Sequence, residues 1–228
     1  MSKHHRDRSW APAPQPLPEN AHVIDNHTHV ASVVPFSQAM SHEAQEKGQP
    51  EVPVYSVDEL LNQAQQVGVE GVIDCGCELP NLMTAIDMSR EHPQTVHAAI
   101  AIHPNESVLH GHRGVPGPDG LPLKYKPWHD TSFEDAMAEV HRLAITYPNQ
   151  VVAIGETGMD LFRTGEAAKE LQREAFRAHI ALAKELLRGD SARIKEISWR
   201  CGFSSTSAFS AGFRVATGQT PKDFRSDL

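Results

Sequence analysis

The sequence has few features of secreted or membrane-spanning proteins. Its three cysteines, Cys75, Cys77 and Cys201, are too few for the disulfide framework of a secreted domain. No apolar run approaches the roughly 20 residues needed to cross a bilayer. Residues 1–20 contain basic and proline-rich stretches but lack the apolar core of a signal peptide, so we interpret them as a disordered leader. These absences predict a cytoplasmic protein that makes no membrane contact.

Net positive charge is also absent from most of the chain. The formal net charge of the 228 residues is −8. Residues 184–228 contain eight Lys and Arg against five Asp and Glu, so they carry +3 and the remainder carries −11. An acidic body suits a cation-binding site, but it does not by itself suit a surface that grips DNA phosphates. The mildly basic tail indicates a second segment of different origin.

Short apolar runs alternate with amphipathic runs after the leader. The apolar runs predict strands, which we place at about 22–24, 71–76, 96–102 and 151–155. The amphipathic runs predict helices, which we place at about 56–67, 81–91, 131–147 and 166–187. Four strands that alternate with helices favour an α/β fold with a parallel sheet and helical crossovers.

Local signals mark the helix starts and the loops. Ser56 with Glu59, and Thr131 with Glu134, have the spacing of capping boxes and predict two helix N-termini. Long loops are predicted at 31–55 and 105–130. Long loops in such an array usually lie at the functional face.

The polar residues of interest follow the predicted strands. His27 and His29 come after the first strand, His103 after the third, and Glu156 and Asp160 after the fourth. In a (β/α) barrel the C-terminal ends of the strands carry the chemistry. The sequence therefore predicts a functional site where these side chains meet.

His27 and His29 form an H-x-H motif. On a strand the side-chain period is two, so both imidazoles are expected to point the same way. Glu156 would add a carboxylate oxygen from another strand end, which suits a divalent cation. An isolated H-x-H is weak evidence, and the alternative is a pair of polar loop residues.

Two other motifs favour structural roles. His110 and His112 form a second H-x-H, which we interpret as loop residues. Cys75 and Cys77 lie in an apolar strand, where buried core cysteines are expected more often than metal ligands.

Four motifs in order resemble the TatD family of metal-dependent hydrolases. They are IDNHTHV, AIAIHPNE, VVAIGETGMDLFR and the helix EAAKELQREAFRAHIALAKEL, and the resemblance covers about residues 22–186. It implies a TIM-like (β/α) barrel that uses divalent metal ions, Mg, Mn or Zn, to hydrolyse phosphodiesters, often as a deoxyribonuclease.

The resemblance also implies roles for individual residues. His27 and His29 would bind one metal ion, and Glu156 would bind a metal or bridge two and take part in catalysis. His103 and Asp160 would line the substrate pocket and support the ligands; their alternative is a pair of loop residues that face water.

The later part of a TatD-like barrel has no counterpart in the sequence. Four further βα units, with two histidine ligands and a late aspartate, are missing after about residue 186. We therefore expect residues 21–186 to form an incomplete TIM-like barrel of about four parallel strands. Weak metal binding, impaired hydrolysis and self-association through open strand edges would follow.

Residues 187–228 predict a small all-α segment. Its pattern of helix, glycine turn and helix fits a helix-turn-helix, although a hairpin that merely packs would also fit. The motifs from about residue 184 onward resemble the second helix-turn-helix of AraC-type transcription regulators. The resemblance implies that Ser205 and Thr206 reach DNA bases and that Arg214 reaches a phosphate.

The leading interpretation is a TatD-like hydrolase acting on phosphodiesters. One alternative is a DNA-binding module of AraC type, with DNA as its ligand. The other is an inactive product of recombination or truncation, because the TatD-like and the AraC-like motifs meet inside one predicted helix. A nuclease assay separates the first from the others.

Overall fold

A parallel sheet of four strands forms the centre of the fold. The computed structural model describes residues 16, 18, 23–50, 52–115, 124–189 and 205–226, so the predicted leader lies almost wholly outside the described residues. The strands pair in the order β1-β2-β3-β4, all parallel. They are β1 (Val23–Thr28), β2 (Val69–Gly76), β3 (Val96–Ile100) and β4 (Val151–Ile154). The predicted α/β class with four parallel strands is confirmed.

Helices fill the connections between these strands. The described helices are α1 (Val30–Glu46), α2 (Val57–Gln66), α3 (Leu82–Glu91), α4 (Pro104–Ser107), α5 (Phe133–Thr146), α6 (Leu161–Thr164), α7 (Lys169–Gly189), α8 (Thr206–Thr217) and α9 (Pro221–Ser226). Short 3-10 helices lie at Leu79–Asn81, Pro127–Asp130 and Glu166–Ala168. Among the described residues, no helix is long and apolar enough to cross a membrane.

The prediction of a long loop at 31–55 is wrong, because α1 occupies most of that range. Pro35 lies inside α1, at a position where proline is uncommon in helices. The buried carboxyl group of Asp74 on β2 lies beside the first turn of α1, and burial raises its pKa above the ordinary value for aspartate. The sequence does not reveal this proximity.

Of the two predicted capping boxes, one is confirmed and one is displaced. The Ser56 hydroxyl accepts the Glu59 N–H, and the Glu59 carboxylate accepts the Ser56 N–H at 2.7 Å. At α5 the prediction of Thr131 with Glu134 is wrong by one residue. Ser132 is the N-cap there, and its hydroxyl accepts the N–H of Asp135 at 3.0 Å.

The main core packs α3, α5 and α7 against β3 and β4. Its fully or nearly fully buried members include Leu82, Ile86, Ile100, Ile102, Phe133, Val140 and Leu143. Gly76 ends β2 where α3 begins, and a Cβ at this position would lie 2.8 Å from the Asn81 carbonyl oxygen. Glycine therefore permits the close approach of α3 to the strand. Strands β1 and β4 each pair on one side among the described residues, so both sheet edges are open.

Two buried histidines are neutral in the fold. Burial lowers the pKa of His110 and of His179 below the ordinary value for histidine. The Ile102 N–H donates to Nε2 of His179 at 3.1 Å, so Nδ1 carries the proton and donates to the Ala175 carbonyl at 2.7 Å. A charged imidazole does not fit these partners, because protonated Nε2 could not accept the Ile102 N–H.

This burial predicts a loss of stability in mild acid. As pH falls through about 6.5, the unfolded chain binds protons at His110 and His179 more readily than the folded chain does, so stability falls as pH falls. Between pH 7.5 and 5.5 we expect a loss of at most about 1 kcal/mol per buried histidine in the free energy of unfolding. Urea unfolding at both pH values measures it. His179→Gln should reduce the loss, whereas His42→Gln on the surface should not; equal losses in both variants would contradict this account.

The C-terminal helices pack around three phenylalanines. The Phe213 ring lies 5.7 Å from that of Phe209 and 5.4 Å from that of Phe224. Gly218 follows α8 with φ +80°, and the Thr220 hydroxyl accepts the Asp223 N–H at the start of α9. The sequence predicts both helices, as the second and third of three short helices in this segment. The preceding helix and its glycine turn, within 190–204, lie outside the described residues.

Candidate metal centre

Three strand ends bring the predicted ligands to one edge of the sheet. His27 lies in the last part of β1 and His29 directly follows it. His103 lies three residues after β3, and Glu156 two residues after β4. Because parallel strands end at the same edge, side chains that are far apart in sequence meet there.

Glu156 is the centre of this group. Its Oε2 lies 3.4 Å from Nε2 of His27 and 3.7 Å from Nε2 of His29, and its Oε1 lies 3.7 Å from Nε2 of His103. Three possible ligand atoms lie within 4.8 Å of one another, one from each of His27, His29 and Glu156. Both imidazoles of the H-x-H therefore face the same carboxylate, as the period of a strand predicts.

The hydrogen bond of His29 prepares it as a metal ligand. Its Nδ1 lies 3.2 Å from the Cys75 carbonyl oxygen. A carbonyl oxygen can only accept, so Nδ1 carries a proton, and in the neutral ring the Nε2 lone pair faces Glu156. In metal sites, a hydrogen bond from the ring nitrogen that does not bind the metal orients the histidine ligand. Two imidazole nitrogens and one carboxylate oxygen match the donor set of a divalent cation.

His103 has the opposite arrangement. The Asn105 N–H donates to Nδ1 of His103 at 3.1 Å. The lone pair of Nδ1 is therefore in use, so in the neutral ring Nε2 carries the proton and points toward Oε1 of Glu156. His103 thus offers a hydrogen-bond donor beside the group, whereas His29 offers a lone pair.

Asp160 holds Asn105 and the start of α6 in place beside the site. Its Oδ2 accepts a hydrogen bond from the Asn105 side chain at 2.7 Å, and its Oδ1 accepts the Phe162 N–H at the start of α6. The buried Gln172 side chain accepts the Asp160 N–H at 2.8 Å and donates to its carbonyl oxygen at 3.0 Å. Asp160 therefore fixes Asn105, which lines the site.

The candidate centre opens into a cleft of about 450 Å³. The cleft is lined by His29, Ser32, Cys75, Cys77, Glu78, Asn81, His103, Asn105, Glu106, Glu156 and Arg163. Sequence reasoning missed Asn105, Glu106 and Arg163. Asn105 and Glu106 lie within the AIAIHPNE motif and Arg163 ends VVAIGETGMDLFR, so motif membership was the available signal.

The two cysteines at the end of β2 are protonated thiols. Cys77 is buried, as predicted, and its Sγ lies 3.4 Å from Oε2 of Glu156, to which it donates. Cys75 is partly exposed. Burial raises the pKa of Cys75 to about 11 and also raises the pKa of Cys77. Neither thiol is therefore a ready thiolate ligand at neutral pH.

The two histidines of the second H-x-H lie in different environments. His110 is fully buried in a turn, with Nδ1 3.0 Å from the Thr131 carbonyl oxygen. His112 is exposed and pairs with Asp130 at 2.6 Å. The two rings therefore do not converge, and they lie outside the metal-ligand group found among the described residues.

The predicted DNA-contacting residues lie on or beside α8. Ser205 precedes the helix and Thr206 begins it, and Arg214 is exposed in its last turn. Ser205 and Thr206 thus lie at the N-terminal end of α8, and Arg214 lies near its C-terminal end.

The sequence model of the TatD related DNase family matches residues 24–188, more than two thirds of the chain. The chain belongs to this family. A Helix-turn-helix domain model matches residues 163–227, so the two matches overlap across 163–188, which includes most of α7. The sequence-based assignment to these two families is confirmed.

Two metal-dependent hydrolase and exonuclease sequences are similar to the TatD-like part of the chain. The uncharacterized metal-dependent hydrolase YabD of Bacillus subtilis is 29% identical over 130 residues, 57% of this chain and 41% of that protein. The 3'-5' ssDNA/RNA exonuclease TatD of Erwinia tasmaniensis is 28% identical over 129 residues, 57% of this chain and 40% of that protein. The chain thus spans about two fifths of the length of these relatives.

Two further comparisons concern the C-terminal segment and the fold. The HTH-type transcriptional activator RhaR of Yersinia pseudotuberculosis is 43% identical over 67 residues, 28% of this chain and 22% of that protein. A TatD family hydrolase structure from Entamoeba histolytica aligns with a TM-score of 0.49 and 19% identity, over 72% of this chain and 46% of that one.

Proposed function

We propose that the cleft hydrolyses phosphodiester bonds in DNA with the help of a divalent metal ion held by His27, His29 and Glu156. One observation carries the proposal: Nε2 of both histidines approaches the same oxygen of Glu156, at 3.4 and 3.7 Å. Family membership supports the use of a divalent metal. Two imidazoles and one carboxylate favour Mn²⁺ or Zn²⁺ over Mg²⁺, which prefers oxygen ligands.

Each residue has a separate part in this proposal. A bound metal would polarise a phosphoryl oxygen and acidify a bound water. The Cys75 carbonyl holds His29 with its lone pair toward the centre. In the neutral ring His103 carries its proton on Nε2, which points toward Oε1 of Glu156 and would help to orient that carboxylate. Asp160 keeps Asn105 at the wall of the cleft.

A nuclease assay tests the proposal. End-labelled single-stranded DNA is incubated with the purified chain and Mn²⁺, Zn²⁺ or Mg²⁺, with a chelator control. The proposal expects metal-dependent cleavage that is lost in His27→Ala. Cleavage that persists in the chelator would contradict it. The cleavage rate also tests the sequence-based prediction that hydrolysis is impaired.

The C-terminal segment supports a second function, the binding of double-stranded DNA. The observation that favours it is the 43% identity to an HTH-type activator, together with an exposed Arg214 on α8. Ser205 and Thr206 are the proposed base-contacting residues. A gel shift in chelator at increasing salt tests this: binding should weaken with salt and weaken further in Arg214→Gln. Equal binding by Arg214→Gln and the unaltered chain would contradict the assignment of Arg214.

We also propose that the open edges of β1 and β4 allow copies of the chain to associate. Unpaired strand edges carry free backbone N–H and C=O groups that pair readily with another chain. Exposed Phe176 and Ile180 on α7 add apolar surface beside β4. Sedimentation velocity over a hundredfold range of protein concentration tests this, and a monomer throughout would contradict it.

A further inference from the structure

The lining of the cleft includes a guanidinium group that has no protein partner. Arg163 lines the cleft from the last turn of α6. Its guanidinium makes no hydrogen bond or ion pair with any residue that the structure describes. Most other described arginines pair with a carboxylate, as Arg90 does with Asp87. Arg163 is thus an exposed, unpaired cation at the wall of a cleft that also contains several carboxylates.

The carboxylates that share the cleft are engaged elsewhere. Oε2 of Glu106 accepts hydrogen bonds from Nε2 of His129 at 2.7 Å and Nε1 of Trp128 at 3.1 Å. Glu78 lies 3.6 Å from Nζ of Lys126. Glu156 faces the histidines of the candidate centre. Each acid therefore has its own partner, and Arg163 is left for an anion that is not part of the described protein.

The turn that carries Arg163 is rigidly built. The Thr164 hydroxyl donates to the Asp160 carbonyl oxygen at 2.8 Å, and the Gln172 side chain donates to the Thr164 hydroxyl at 2.8 Å. Thr164 and Gln172 are both fully buried. A buried polar network whose members are satisfied holds its backbone in one position. The base of the Arg163 side chain is thus fixed at the wall of the cleft.

We propose that Arg163 is the phosphate-binding residue of this cleft, which deepens and rests on the proposed phosphodiester hydrolysis. Its planar fork can donate two parallel hydrogen bonds to phosphate oxygens, an arrangement that matches phosphate geometry. The same cleft wall includes Asn105, whose side-chain NH2 group already donates to Asp160, so Arg163 is the group that this proposal assigns to the phosphate. A phosphate held there lies in the same cleft as Glu156, where a metal would act on it.

The test measures binding, so it does not depend on catalysis. Saturation-transfer NMR titrations with thymidine monophosphate, inorganic phosphate and thymidine are run on the full chain, in chelator and in Mg²⁺. The variants are Arg163→Gln, Arg163→Lys and the control Arg177→Gln. Arg177 is also exposed and unpaired among the described residues, but it does not line the cleft. Thermal melts check that each variant folds.

The proposal expects both phosphate-containing ligands to bind and thymidine to bind more weakly. Arg163→Gln should weaken phosphate binding about tenfold to hundredfold, the range for a lost charge-assisted contact. The phosphate affinity of Arg163→Lys should lie between those of Arg163→Gln and the unaltered chain, because lysine keeps the charge but lacks the planar guanidinium that donates two parallel hydrogen bonds. The affinity of Arg177→Gln should match that of the unaltered chain. Equal binding by Arg163→Gln, or no phosphate binding by the unaltered chain, would overturn the proposal. Tighter binding of thymidine monophosphate in Mg²⁺ than in chelator, and the loss of that difference in His27→Ala, would report separately on the metal site.

Discussion

Replacing Glu156 by glutamine is expected to lower kcat for metal-dependent DNA cleavage at least a hundredfold. The amide removes the negative charge that faces His27 and His29 at 3.4 and 3.7 Å. A metal ion contributes several kcal/mol to the stabilisation of transition-state charge, and about 1.4 kcal/mol corresponds to a factor of ten in rate. Among the described residues, Glu156 is the one carboxylate of the proposed ligand group, so its loss should cost at least two factors of ten in rate.

The same substitution should leave the fold intact, which makes the result interpretable. The amide oxygen of glutamine can still accept from Sγ of Cys77, which donates to Glu156 in the native chain. We expect the melting temperature without metal to be unchanged within about 2 °C. Glu170→Gln on the exposed face of α7 serves as the control and should cleave DNA at the unaltered rate. If Glu156→Gln retains more than a tenth of the activity, the assignment of Glu156 is wrong.

Ile100→Ala is expected to lower the free energy of unfolding by roughly 2–5 kcal/mol. Ile100 is fully buried at the end of β3, where it lies opposite Gly76 of β2 and Ile154 of β4. Truncation removes buried methyl groups and leaves a cavity among α3, α5 and the sheet. Since single domains have a total stability of about 5–15 kcal/mol, this change removes a large part of it.

An exposed isoleucine provides the matched control. Ile145 on α5 is 58% exposed, so Ile145→Ala removes the same atoms without creating a cavity. Its cost should stay below about 0.5 kcal/mol. Urea unfolding followed by circular dichroism measures both variants. Similar losses for Ile100→Ala and Ile145→Ala would mean that β3 is not the centre of the core.

The sheet was predictable because it depends on local periodicity, whereas the choice of His27, His29 and Glu156 as ligands came from the resemblance to TatD hydrolases. Apolar runs such as 96–102 correspond to strands, and the period of two in a strand aligns His27 with His29. The convergence of these residues with Glu156 follows from a general property of parallel sheets. No residue-to-residue contact had to be known to infer it.

Features that depend on distant contacts were not predictable. Helix α1 contains Pro35 and was predicted as a loop; its first turn lies beside Asp74 of β2, which is more than forty positions away in sequence. The free guanidinium of Arg163 becomes evident once the partners of the neighbouring carboxylates are known. The hydrogen bonds that distinguish His29 from His103 likewise require coordinates.

A thermal melt with and without Mn²⁺ tests the central claim most directly, that His27, His29 and Glu156 form a metal site. At roughly a hundredfold excess over Kd, a metal that binds only the folded chain stabilises it by about 2.7 kcal/mol, which raises Tm by several degrees. We predict this rise for the native chain and for His42→Ala, whose histidine is exposed on α1, and its loss in His27→Ala. An equal rise in His27→Ala, or no rise in the native chain, would contradict the account.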